Sequence, residues 1–163
     1  MQRITPCLWF DGQAEEAAAF YCGIFPHSAI AAVTHYDAHS AQASGRLEGS
    51  VMTVSFELDG QSVLALNGGP QFPFTEAISL MVSCETQSAV DHYWGRLSEG
   101  GEEGVCGWLK DRYGVSWQIV PAEMGEMMAS GTPEQVDRLT QTFLPMKKLD
   151  LAELRRAYRG GAP

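Results

Sequence analysis

Few side chains in this 163-residue chain combine the types and spacing that chemistry needs. Cys106, beside Gly107 and Trp108, is a candidate nucleophile. A thiol needs a neighbouring base to become one, and no histidine is tied to Cys106 in sequence. A small core residue is the competing reading. Glu76 follows Phe72-Pro73-Phe74-Thr75 and could act as a general base if that stretch folds over a cavity. A solvated carboxylate is its alternative. His35 and His39 stand four apart, but they fall at a strand end and in a loop, and no H-E-x-x-H is present. They read, with His27 and His92, as surface histidines. Asn67-Gly68-Gly69 has no lysine and hydroxyl pair to make a phosphate loop and reads as a turn. Cys7, Cys22, Cys84 and Cys106 form no C-x-x-C pair. Buried free thiols in a reducing compartment are expected, and hence a cytoplasmic protein.

Charge narrows the partners. Eleven basic residues against twenty acidic ones give a net charge of −9. Nucleic acid and anionic membrane surfaces both require a positive patch, so neither is expected. No apolar run approaches the ~20 residues of a membrane span. The opening residues, Met1 to Pro6, lack the apolar core of a signal peptide.

The elements that must position these groups follow from periodicity. Residues 4–10 read as a strand ended by Asp11-Gly12, and 13–24 as a helix with Ala14, Ala17, Ala18 and Tyr21 on one face. Residues 28–36 read as a strand and 37–50 as a mobile polar loop. Val51 to Leu58 alternates, and Asp59-Gly60 predicts a two-residue hairpin into a strand over 62–66. The pattern then restarts, with a strand over 78–84, a helix over 86–97, a turn region over 99–104 and short strands near 105–108, 110–113 and 115–120. Thr132-Pro133-Glu134-Gln135 is a capping box, and Asp150 to Glu153 repeats the device for a last helix. Both helices carry apolar stripes and are expected to pack on the domain or on a second subunit.

Strand, helix and three strands thus occur twice. A shift of 73 sets Tyr21 on Trp94 and Ala17 on Val90, and a shift of 54 sets Gly60 on Gly114. The residues that complete the picture are Ile4 to Gly12 with Phe20-Tyr21, Ala65 to Pro70, Phe74 to Ile78, and Met146 to Asp150. Most specific is Cys106 to Asp111 with Gly114 to Pro121. Together they resemble the PhnB-like branch of the vicinal oxygen chelate superfamily, which includes glyoxalases, dioxygenases and bleomycin-resistance proteins. The resemblance implies an α+β fold in which two βαβββ modules form a curled mixed sheet around a cavity. One domain over 1–163 is expected, with module one at 3–67, module two at 77–121 and a C-terminal helical extension at 123–160. A homodimer is implied as well.

Enzymes of that superfamily typically hold a divalent metal on the first and last strands of each module. Carried onto this chain, those positions are Pro6, Leu64, Ser79 and Gln118. Only Gln118 is a plausible donor, so no cofactor is assigned, and a divalent metal is left open. If residue 6 faces inward, alternation adds Leu8 and Phe10, and Met81 and Ser83 join Ser79. Leu66 joins Leu64, and Ser116 and Val120 join Gln118. The expected ligand-binding residues are Phe10, Leu64, Phe74, Ser79, Met81, Trp108 and Gln118. Such a lining suits a small, partly apolar organic ligand; the alternative is a glyoxalase- or dioxygenase-like enzyme, either a metal-assisted lyase or oxygenase or a metal-free acid/base catalyst. The branch also carries a 3-demethylubiquinone 3-methyltransferase label. Asp11-Gly12 does not supply the glycine-rich loop of a Rossmann-like methyltransferase, so methyl transfer is not expected.

Overall fold

Sheet order is the feature on which the architecture turns. The computed structural model describes residues 4–161; Arg3, where module one was expected to begin, and Met1 and Gln2 of the opening segment lie outside them. The chain forms two units, Met1–Phe74 and Thr75–Pro163, each with its own four-stranded sheet.

The first unit runs β1 (Cys7–Phe10), α1 (Ala14–Cys22), β2 (Ala29–His35), α2 (Ala38–Ser44), β3 (Val51–Leu58) and β4 (Gln61–Asn67). The strands lie in the order β1-β4-β3-β2, with β1 parallel to β4 and the other pairs antiparallel. The β3–β4 hairpin closes on Asp59 and Gly60, both at positive φ (45° and 82°), as a two-residue turn of this hand requires. Helix α1 covers one face. Ala14, Ala17, Ala18 and Tyr21 are fully buried at helical spacing, and the Tyr21 ring stacks on Phe56 with centroids 6.3 Å apart. The segment expected to be a mobile loop holds α2 instead. Asp37 and Ser40 close a reciprocal capping box there, and Gly45 ends the helix at φ 70°.

The second unit runs β5 (Leu80–Cys84), α3 (Gln87–Ser98), β6 (Glu102–Glu103), β7 (Trp108–Lys110), β8 (Ser116–Pro121), α4 (Ala122–Ser130), α5 (Pro133–Phe143) and α6 (Leu151–Arg159). Its order, β5-β8-β7-β6, repeats that of the first sheet, again with the first and last strands parallel. Thr86 caps α3, which buries Val90, Trp94 and Leu97. Three expectations fail here, the first being the strand over 110–113, which ends at Lys110. Residues 105–108 form a turn, with Trp108 N–H donating to Val105 O (3.1 Å) across Cys106 (φ 59°) and Gly107 (φ 79°). The second strand lies at 102–103, where a turn region was expected.

The C-terminal helices build a small core of their own in this unit. Met127, Leu139, Leu149 and Leu154 are buried together, with Val120, Met124, Phe143 and Tyr158 against them. Val120, expected to line a pocket, is therefore packed under helices. The guanidinium of Arg138 donates to the carbonyls of Ala157 and Tyr158 (2.9 and 3.0 Å), satisfying the free end of α6. Cys106 N–H donates to Met146 O, and Gly107 N–H donates to Lys147 O, which ties the tail to the β6–β7 loop.

Candidate ligand-binding site

Each sheet has one face under α1 or α3; on the opposite face of the second sheet only the Val120 end lies under the C-terminal helices. Register decides which side chains stand on the uncovered face. In the first unit Cys7 lies opposite Leu64 and Leu8 opposite Ala65. Leu8 and Phe10 therefore share the α1-covered face with Ala65 and Asn67, and Phe10 is only 2% exposed. This corrects the expected inward set of Pro6, Leu8 and Phe10: the residue beside Leu64 on the open face is Cys7, with Trp9 beside Leu66. The sequence shift was one residue out on β1, and a one-residue slip in a strand reverses every face. Phe10 meets Phe74 edge-on, with ring centroids 5.2 Å apart. These two make an aromatic clamp on the segment after β4. Trp9 adds to that clamp, its indole N–H donating to Gly69 O (2.7 Å) and its ring lying against Phe72.

In the second unit the expected faces agree with the observed ones. Leu80, Val82, Trp117 and Ile119 lie on the side of α3, and Met81, Ser83 and Gln118 on the other. The open face has two transverse rows. Glu102, Lys110 and Ser116 pair across β6, β7 and β8 in one; Trp108, Gln118 and Met81 pair across β7, β8 and β5 in the other. Met81 is 67% exposed. The Gln118 amide donates to the Ser79 hydroxyl at 2.9 Å. Ser79, Met81, Trp108 and Gln118, four of the seven expected ligand-binding residues, are thus brought onto one face.

A pocket of ~160 Å³ opens at the first row, lined by Glu76, Glu102, Trp108, Lys110 and Ser116 among others. Lys110 forms an ion pair with Glu76. Its hydrogen bond to that carboxylate holds Glu76 below the ordinary glutamate range and raises Lys110 above the ordinary lysine range. An acid held ionised this way is a weak general base, which counts against a proton-abstracting role for Glu76. Ser116 is only 2% exposed, and its Oγ has no hydrogen-bond partner. It is the one buried side-chain polar atom in that condition among the described residues. Glu102 and Lys110 were not singled out in sequence. Alternation from Ser116 points to Lys110 once the β7–β8 register is known, but Glu102 lay in a presumed turn.

Cys106, the other candidate catalytic residue, has its Sγ 3.2 Å from the carbonyl of Leu144. Its backbone is bonded to the tail, which makes it part of the loop's attachment. All four cysteines are free. Cys7 is exposed and Cys22 and Cys106 half-buried, so full burial holds only for Cys84. Burial beneath α3 pushes that thiol up to about 11.

The donor set of the open faces does not fit a tightly held divalent metal. Such a site needs about three protein donors. Leu64 offers none, which leaves the Gln118 amide oxygen and the weak Ser79 hydroxyl, fewer than three donors. Among the described residues no three His, Cys, Asp or Glu side chains gather as a metal-holding group.

Two four-stranded mixed sheets, each flanked by helix, define an α+β protein of the glyoxalase/bleomycin-resistance type of fold. The family model described as 3-demethylubiquinone-9 3-methyltransferase matches residues 2–120. A PhnB protein from Bacillus cereus carrying the same methyltransferase description is 36% identical. The match covers 74% of this chain and 100% of that one, with a TM-score of 0.66. The chain belongs to this PhnB-like family. Two more distant structures share the fold. Protein PA1353 from Pseudomonas aeruginosa is 18% identical over 74% of this chain and 98% of that one, with a TM-score of 0.59. The fosfomycin resistance protein FosX from Listeria monocytogenes is 14% identical over 77% and 94%, with a TM-score of 0.51. No curated protein matches the chain.

Proposed function

We propose that this protein binds a small, partly apolar organic molecule on the open face of its second sheet, with no tightly held metal in the site. The observation that carries this reading is the grouping of exposed Met81 and half-buried Trp108 with the Ser79–Gln118 pair on a sheet face. Met81 leaves apolar area exposed there, beside Trp108 and a polar pair fixed by its own hydrogen bond, as in a ligand site. Methyl transfer is not part of the reading. The turn after β1 is Asp11-Gly12, without the glycine-rich phosphate loop of a Rossmann-like methyltransferase. Small-molecule fragments should shift the backbone and side-chain NMR signals of Met81, Trp108 and Gln118. Metal analysis of tag-free protein after incubation with Zn, Ni, Mn and Fe(II) should find well under one equivalent surviving dialysis. A stoichiometric metal would overturn the donor assignment, and fragments that cluster elsewhere would overturn the site.

The reading extends to a homodimer in the cytoplasm. No helix among the described residues is long and apolar enough to cross a membrane. Light scattering at micromolar concentration should give twice the 17.8 kDa chain mass; a monomer would remove the dimer from the proposal.

A further inference from the structure

We infer that the ligand carries a protonated amine, which is held over Glu102 and Ser116 while its apolar part lies on Trp108. The inference rests on the ligand-binding reading of the same face and names the class of molecule that face takes.

Three observations converge on it. Ser116 Oγ is buried in the pocket lining without a partner, and a buried hydroxyl left unpaired is costly unless something comes to it. A hydroxyl oxygen accepts readily from an ammonium N–H. The second observation is charge. Three carboxylates and one ammonium line the pocket. Lys110 is committed to Glu76, and Glu103 accepts from the Trp94 indole N–H (3.0 Å) and from Lys147 (3.4 Å). Glu102 forms no ion pair among the described residues; it lies across the ladder from Lys110 and acts on it through its charge alone. The field over the first row therefore favours a cation over an anion, whose carboxylate would meet Glu76 and Glu102 at close range.

Spacing is the third. The polar row and the Trp108–Gln118–Met81 row are two residues apart along β7 and β8, about 6.7 Å. An alkyl chain of about four carbons bridges that distance. Its nitrogen then sits over the polar row and its tail over the Trp108 indole.

The test uses the full chain and three four-carbon probes: n-butylammonium, butyrate and 1-butanol. The Trp108 indole N–H is followed by NMR up to about 100 mM, the range in which fragments this small bind. Butylammonium should shift that signal saturably and more tightly than butanol, and butyrate least. Glu102→Gln should weaken butylammonium about tenfold. Ser116→Ala should weaken it too, while raising the melting temperature of the free protein by about 2–4 °C, since it removes an unpaired buried hydroxyl. That opposite pair of effects is not expected of a residue that merely packs. Butyrate binding more tightly than butylammonium, or an affinity unchanged in Glu102→Gln, would overturn the inference. Butanol binding as well as butylammonium would overturn the amine while leaving the site in place. Silence from all three probes would overturn both.

Discussion

Asp111→Ala should lower stability by about 3–5 kcal/mol and the melting temperature by on the order of 10 °C, without altering the helical content of the folded protein. Asp111 is 3% exposed and holds the β7–β8 connection from the inside. Its Oδ1 accepts from the backbone N–H groups of Tyr113 and Val115 (2.9 and 3.0 Å), and its Oδ2 accepts from the Trp117 indole N–H (2.8 Å). Val115 and Trp117 are themselves buried, so water cannot readily replace the lost acceptor. Each stranded donor costs about 1–3 kcal/mol, and the hole left by the carboxylate adds to it. Asp111→Asn separates the contributions. One amide oxygen can serve the two backbone donors, but the amide NH₂ then faces the indole N–H. Its loss should fall between wild type and alanine. Thermal or urea unfolding monitored by Trp fluorescence decides the matter, and an Asp111→Ala protein within about 1 kcal/mol of wild type would refute the account.

The second large effect is expected at Asn67, the last residue of β4, which is 4% exposed. Helix α1 begins after Gln13, whose side chain makes no capping hydrogen bond. Asn67 does that work from fifty-three residues away, its Oδ1 accepting from Ala14 N–H at 2.9 Å. Its Nδ2 donates to Val51 O (3.1 Å), and its backbone carbonyl accepts from the Tyr36 hydroxyl (2.7 Å). One side chain thus joins the start of α1 to β3 and β4. Asn67→Ala leaves a buried N–H and a carbonyl unpaired and should cost about 2–4 kcal/mol. Asn67→Asp keeps the acceptor for Ala14 and should recover part of the loss at the helix N-terminus. Hydrogen exchange gives the specific signature: protection of the first turn of α1 should fall more than that of α3. Uniform loss across both helices would mean that Asn67 is no local cap.

Both residues were passed over in sequence. Asn67 reads as the start of a turn, and Asp111 as part of a short strand over 110–113. The groups that Asn67 serves lie 16 and 53 residues away, and although two donors to Asp111 are local, its burial and the Trp117 indole are evident only in the fold. The Ala14 N–H, like the register that places Cys7 beside Leu64, is brought in by pairing between strands far apart in the chain. The same holds for the site. Ser79, Met81 and Gln118 could be read from alternation, because a two-residue period survives wherever a strand is recognised. The row Glu102–Lys110–Ser116 could not, because it needs the β6–β7–β8 register and a β6 of only two residues.

What the amino-acid sequence determined alone is the set of features closed within a few residues. Asp59-Gly60 had to turn, Thr132 with Gln135 had to start a helix, and the 51–58 alternation had to lie half-buried in a sheet. The doubling of the pattern belongs here too, since each copy carries its own aromatic and alanine faces. Only the tertiary structure decided which face of β1 is covered, which carboxylate is left unpaired beside Lys110, and that the Ser116 hydroxyl is buried without a partner. Those are properties of register and burial. They arise when strands meet across long loops, where a shift of one residue changes every neighbour while leaving local propensity untouched.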